Sequence, residues 1–175
     1  SGKLPMSFPR NVGQLPIYYN YKNTGRPNLP APDEVFWSHY GDVANTPLFP
    51  FGHGLSYTKF EYSGLKLSQN QFGKNGKIEV SVQLKNAGKV MGKEVVQMYV
   101  RDLVGSTTRP VRELKGFELV ELQPGETKTV AFTIDEKTIE YYTANKKWEA
   151  EPGDFKVFVG GSSDAKMEVQ FQYTN

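Results

Sequence analysis

From Phe60 onward apolar and polar side chains alternate with a period of two, the pattern of strands that bury one face and wet the other. Ile78, Val80, Val82 and Leu84 fall on one side, and Glu79, Ser81, Gln83 and Lys85 on the other. Val96, Met98 and Val100 make a second inward row, Val130, Phe132 and Ile134 a third, Phe155, Val157 and Val159 a fourth, and Val169, Phe171 and Tyr173 a fifth. Weaker runs at 60–67 and 114–122 bring the expected strands to seven. The separators are turn chemistry: Gly73 to Gly76, Asn86-Ala87-Gly88, Pro124-Gly125, Pro152-Gly153 and Gly160-Gly161 supply a positive or preset φ.

The first fifty residues follow other rules. Eight of the 11 prolines lie there (Pro5, Pro9, Pro16, Pro27, Pro30, Pro32, Pro47 and Pro50), which disfavours helix and central strand alike. Tyr18, Tyr19, Tyr21, Phe36, Trp37, Tyr40, Phe49 and Phe51 make the stretch too aromatic for a solvated linker. It reads as an extended strap laid against a surface, with one short edge strand over Leu4, Met6 and Phe8. The expected division is 1–57 for the strap and 58–175 for a seven-stranded all-β sandwich of fibronectin type III/immunoglobulin-like type. The Cys-Trp-Cys frame of a true immunoglobulin domain is absent, since the chain has no cysteine.

Composition narrows the function classes. Lys plus Arg is 21 against 19 for Asp plus Glu, a formal charge of +2, which lacks the concentrated basic face that phosphate backbones require; no nucleic-acid partner is expected. No apolar run approaches a membrane span of roughly 20 residues, and neither cofactor nor metal site is expected. His39 and His53 have no ligand spacing. Gly54-Leu55-Ser56-Tyr57-Thr58 lacks the closing glycine of a nucleophile elbow, and Gly160-Gly161-Ser162-Ser163-Asp164 lacks the lysine and helix of a phosphate cradle. The carboxylate pairs Asp33/Glu34, Asp135/Glu136 and Glu149/Glu151 are the places to seek glycosidase chemistry, which needs two acids flanking one bond. The last two pairs sit in turn surroundings typical of solvated acids; Asp33 and Asp42 alone lie among clustered aromatics. Arg101, Arg109, Arg112 and Lys115 form a basic group around one loop, with Asp102 and Glu113 near enough in sequence to pair with them.

The segment Leu48-Phe49-Pro50-Phe51-Gly52-His53-Gly54-Leu55-Ser56-Tyr57-Thr58-Lys59-Phe60 is very similar to the junction that precedes the C-terminal fibronectin type III-like domain of glycoside hydrolase family 3 enzymes. Further motifs agree in order: Pro16-Ile17-Tyr18-Tyr19, Thr24-Gly25-Arg26-Pro27, Val95-Val96-Gln97-Met98-Tyr99, Arg109-Pro110 through Leu114-Lys115-Gly116-Phe117, Leu122-Gln123-Pro124-Gly125-Glu126 and Glu151-Pro152-Gly153. The chain thus resembles the C-terminal region of periplasmic bacterial β-glucosidases: the tail of an α/β domain plus the fibronectin-like domain. The resemblance implies a retaining hydrolase of terminal β-D-glycosides, periplasmic or secreted, whose barrel and α/β domains carry the nucleophile and the acid/base. No Ser-Asp-Trp-like nucleophile triplet occurs here, so no catalytic residue carries over, and this chain alone is expected to be inactive.

The strap would then place the upstream domains relative to the sandwich, and separated from them its docking face could fold back or pair into a homodimer. Tyr19, Trp37 and Tyr40 are the candidates to stack on a leaving-group sugar of the β-glycoside substrate. Two other readings compete. A carbohydrate-binding module predicts a coplanar row of exposed aromatics, for which Tyr99 and Tyr173 are the best candidates. A sugar-free adhesion module requires neither the junction nor the Arg-Pro motif.

Overall fold

A computed structural model describes residues 2–23 and 40–174. The seven expected strands are all present: β1 (Phe60–Leu67), β3 (Lys77–Asn86), β4 (Gly92–Asp102), β5 (Glu113–Leu122), β6 (Thr127–Asp135), β9 (Gly153–Gly160) and β10 (Met167–Tyr173). Among the described residues the total is ten rather than seven, because three two-residue strands join them: β2 (Gln71–Phe72), β7 (Tyr141–Tyr142) and β8 (Trp148–Glu149). Two residues are too few for a period to show, so alternation does not reveal such pieces. A four-residue helix, α1 (Glu136–Ile139), follows β6.

A three-stranded sheet in the order β1-β3-β6 faces a five-stranded sheet in the order β2-β10-β9-β4-β5, and β7-β8 is a separate hairpin. All long pairings are antiparallel. The inward rows meet in one core in which Ile78, Val80, Leu84, Val96, Leu122, Ile134 and Val157 are fully enclosed and Phe155 stacks on Phe171 at 5.1 Å. Each such side chain contributes about 1.5–3 kcal/mol relative to exposure.

Asp135 and Glu136, which read as solvated acids, start the helix instead. The Asp135 carboxylate accepts the Thr138 N–H at 2.8 Å while Thr138 Oγ1 accepts the Asp135 N–H, a reciprocal cap. The Thr138 hydroxyl bond holds the Asp135 carboxyl below its usual range.

The expected edge strand over Leu4–Phe8 forms only in outline. Phe8 bridges Phe49 antiparallel, and Leu4 exchanges backbone bonds with Gly52 and His53 at 2.8 and 2.9 Å. The prolines on either side remove the donors that would extend the ladder. Gln14 closes the strap on itself: it accepts the Arg10 N–H and donates to Ala44 O at 2.8 Å.

Candidate docking site

The described parts of the strap, 2–23 and 40–57, lie on the outer face of the five-stranded sheet, and β4 shows why they stay there. Alternation turns Gln97 and Tyr99 away from the core, yet both are buried, because residues 51–53 and Tyr19 cover them. Gln97 Nε2 donates to Gly52 O at 3.2 Å and to Gly161 O at 2.7 Å, while its Oε1 accepts the Tyr99 hydroxyl at 2.5 Å. Phe51 O accepts the Ser163 N–H at 2.8 Å. Tyr19 is a wedge: its ring stacks on Phe51 at 4.3 Å, meets the edge of Tyr99 at 5.9 Å, and its hydroxyl oxygen accepts the Leu114 N–H at 3.3 Å, beside the register shift between β4 and β5.

A second anchor is ionic. Lys3 Nζ meets Glu94 Oε1 at 2.7 Å and donates to Gly161 O at 3.1 Å, and Tyr62 donates to the same Glu94 oxygen at 3.1 Å. The Lys3 and Glu94 side chains are only 14% and 8% exposed, so the pair is nearly desolvated. Burial, and secondarily the Glu94 charge, pushes the Tyr62 phenol well above its normal range; burial does the same for Tyr99. The folded state therefore keeps two phenolic protons that the unfolded chain releases near pH 10. Their stabilisation is complete below about pH 10 and falls by about 1.4 kcal/mol per pH unit for each tyrosine above it. Urea midpoints measured between about pH 9 and 11 should show this fall, to which the raised Tyr141 and Tyr173 add, and Tyr62→Phe should make it shallower by one tyrosine's share. An unchanged slope in Tyr62→Phe would dissociate this anchor from the alkaline transition.

A third tie runs through the loop between β4 and β5. Arg109 pairs with Glu113 at 2.6 Å and Asp102 at 3.4 Å, and its guanidinium sits 3.8 Å over the Tyr141 ring. Tyr141 and Ser106 both donate to Glu151. The loop so fixed receives the strap: Val111 N–H donates to Tyr21 O at 2.9 Å, and Lys22 bridges Pro110. The expected pairing of the basic group with Asp102 and Glu113 therefore holds for Arg109.

The strap's other side is open. Met6, Phe8, Leu48 and Phe49 are exposed, Leu55 is 82% exposed, and Tyr57 is wholly so. Gly2, Leu4, Phe8, Phe49, His53, Gly54 and Leu55 line an apolar cleft of about 420 Å³.

Of the aromatic candidates, Tyr19 is half-buried in the wedge, Tyr40 is exposed with its hydroxyl donating to Gly13 O at 3.3 Å, and Trp37 lies outside the described residues, as do Asp33, Glu34 and His39. Asp42 is exposed on the strap. Tyr99 and Tyr173, expected as an exposed sugar platform, are buried at 0% and 4%: the strap covers the first and Phe72 packs on the second at 5.1 Å. The two rings expected to serve a sheet-face carbohydrate module are therefore not exposed. Among the described residues no group of three or more His, Asp or Glu side chains is placed to hold a metal ion.

Residues 94–163, β4 through the turn after β9, match the fibronectin type III-like domain family. The chain is 48% identical over 172 residues to a periplasmic beta-glucosidase of Salmonella typhimurium, covering 98% of this chain and 22% of that protein. The chain carries the fibronectin type III-like region of family 3 β-glucosidases. A beta-xylosidase of Formosa agariphila is 46% identical over 94% of the chain and 22% of its own length. The solved structure of a beta-glucosidase from Listeria innocua superposes with a TM-score of 0.91 at 42% identity, covering 100% of this chain and 24% of that one. The chain thus spans about a fifth of the length of the curated relatives it matches. In this fibronectin type III-like region the matched core holds Glu94, Gln97, Tyr99 and Arg109, the side chains that tie down the strap and its receiving loop.

Proposed function

We propose that this region is the non-catalytic accessory domain of a family 3 glycosidase that hydrolyses terminal β-D-glycosides with retention, and that it acts by fixing the barrel and α/β domains through its strap. The observation that carries the proposal is the two-sided strap: one side locked on the sandwich, the other an open apolar face. An extended segment with that division of labour is a joint, and small displacements of reacting groups across a joint cost orders of magnitude in rate.

The carboxylates support the same reading. A retaining site needs an acid and a nucleophile about 5–5.5 Å apart and free to work. Here Glu94 is tied by Lys3 and Tyr62, Glu113 by Arg109, Glu151 by Ser106 and Tyr141, and Glu149 by Thr143 and Asn145. The division at 57/58 and a periplasmic or secreted setting belong to this proposal, as does a leaving-group sugar stacking on Tyr40. In the isolated region a homodimer is the other way to cover the open face.

Hydrolysis of a panel of nitrophenyl β-glycosides by this chain, beside a form extended upstream through both catalytic domains, tests the proposal. Only the long form should turn over. Activity in the short chain would make one of its own carboxylates catalytic and overturn the accessory role.

A further inference from the structure

Between strap and sheet, away from the apolar face, a cleft of about 380 Å³ opens. Tyr18 and Tyr21 form its strap wall, both more than half exposed. Across from them stand Arg101 from β4, Arg112 from the β4–β5 loop and Lys166 from the β9–β10 connection, with Asp164 as the sole acid in the lining. Among the described lining residues three cations stand against one carboxylate, in a chain that is nearly neutral.

Arg112 is held in place without an ion pair among the described residues. The Arg112 guanidinium lies 4.2 Å over the Phe158 ring and donates to Ser163 O and Ala165 O, so it is oriented by carbonyls and an aromatic face instead of an acid. Asp164 accepts a hydrogen bond from Ser162. Neither Arg101 nor Lys166 has an ion-pair partner among the described residues. Burial lowers the Arg112 pKa and the Arg101 charge adds a little to that effect, while the Tyr99 and Tyr21 phenols and the Asp164 carboxylate oppose it. An oriented guanidinium flanked by two further cations without an ion pair among the described residues is the arrangement that charge-assisted bonds to a carboxylate or phosphate exploit.

We infer that this cleft binds an acidic sugar, a uronate-type monosaccharide unit, with its carboxylate between Arg101, Arg112 and Lys166 and its ring against Tyr18 and Tyr21. The volume decides for a sugar over a bare ion: small-molecule sites start at about 300 Å³, far more than an inorganic anion fills. The two exposed phenols supply the apolar yet hydroxylated wall that a pyranose ring prefers. The inference stands whether or not the parent enzyme is a β-glucosidase.

Isothermal titration of this chain with methyl glucuronide, methyl glucoside and inorganic phosphate tests the inference. Methyl glucuronide should bind, methyl glucoside at least about tenfold more weakly, and added salt should weaken the former. Arg101→Gln and Lys166→Gln, both at side chains without ion pairs, should each lower glucuronide affinity about tenfold or more with an unchanged unfolding midpoint. Tyr21→Ala should weaken glucuronide and leave phosphate unaffected. Absence of glucuronide binding, or binding insensitive to Arg101→Gln and Lys166→Gln, would overturn the site. Equal binding of phosphate and glucuronide with no effect of Tyr21→Ala would overturn its sugar specificity.

Discussion

Glu94→Ala is expected to lower the stability of this chain by about 3 kcal/mol and its unfolding midpoint by about 6–12 °C. The substitution leaves the Lys3 ammonium nearly buried with only Gly161 O as partner, and leaves the Tyr62 hydroxyl without its acceptor. Breaking a buried pair from one side costs about 3–5 kcal/mol, because the remaining charge keeps its desolvation penalty. The lower end applies since Lys3 retains some exposure. Replacing both partners, Lys3→Met with Glu94→Met, should recover most of the loss. Calorimetry of the three variants checks this; a cost for Glu94→Ala under about 1 kcal/mol would make the contact an ordinary surface pair.

Gly52→Ala should cost about 3 kcal/mol and loosen the strap from the sheet. Gly52 has a φ of +78°, and a β-carbon there would stand 2.1 Å from Gln97 Oε1 and 2.9 Å from both Cδ and Nε2. Gln97 cannot retreat without giving up its bonds to Gly52 O, Gly161 O and the Tyr99 hydroxyl. Gly125 provides the control: its φ is +77°, and nothing lies within 4 Å of a β-carbon there. Gly125→Ala therefore isolates the backbone cost of about 1–2 kcal/mol. The excess at Gly52 measures the close approach of strap to β4. Equal losses at both glycines, or protease resistance of residues 1–57 unaltered by Gly52→Ala, would contradict the docking geometry.

The two halves of the chain were unequally legible. Strands announce themselves wherever a buried row of four such as Ile78, Val80, Val82 and Leu84 runs against polar neighbours. The two-residue strands and α1 have no period, although Asp135 and Thr138 at i and i+3 resemble a capping box and could have flagged the helix. β4 shows the limit of alternation. Its pattern tells which side chains leave the core, but not whether water or another segment receives them, so Tyr99 read as an exposed sugar platform when it is the floor beneath the strap. Asn86 was legible only as a turn residue. It is the last residue of β3, on the same inward face as Val82 and Leu84, and is fully buried, accepting from Thr58 and donating to Val90 O and Leu122 O. The basic group split too: sequence spacing pairs Arg109 with its acids, while the third dimension leaves Arg101 and Arg112 facing a cleft.

The most direct test of the joint compares one pair of substitutions in two settings. Leu55→Asp with Tyr57→Asp alters side chains that are almost wholly exposed in this chain, so its unfolding should change by no more than about 0.5 kcal/mol. In the full-length glycosidase the same pair introduces two charges on the face proposed to meet the upstream domains, and turnover of nitrophenyl β-glucoside should fall by about tenfold or more. Full-length turnover equal to that of the unsubstituted enzyme would contradict the account, because the open apolar face of the strap would then serve no joint.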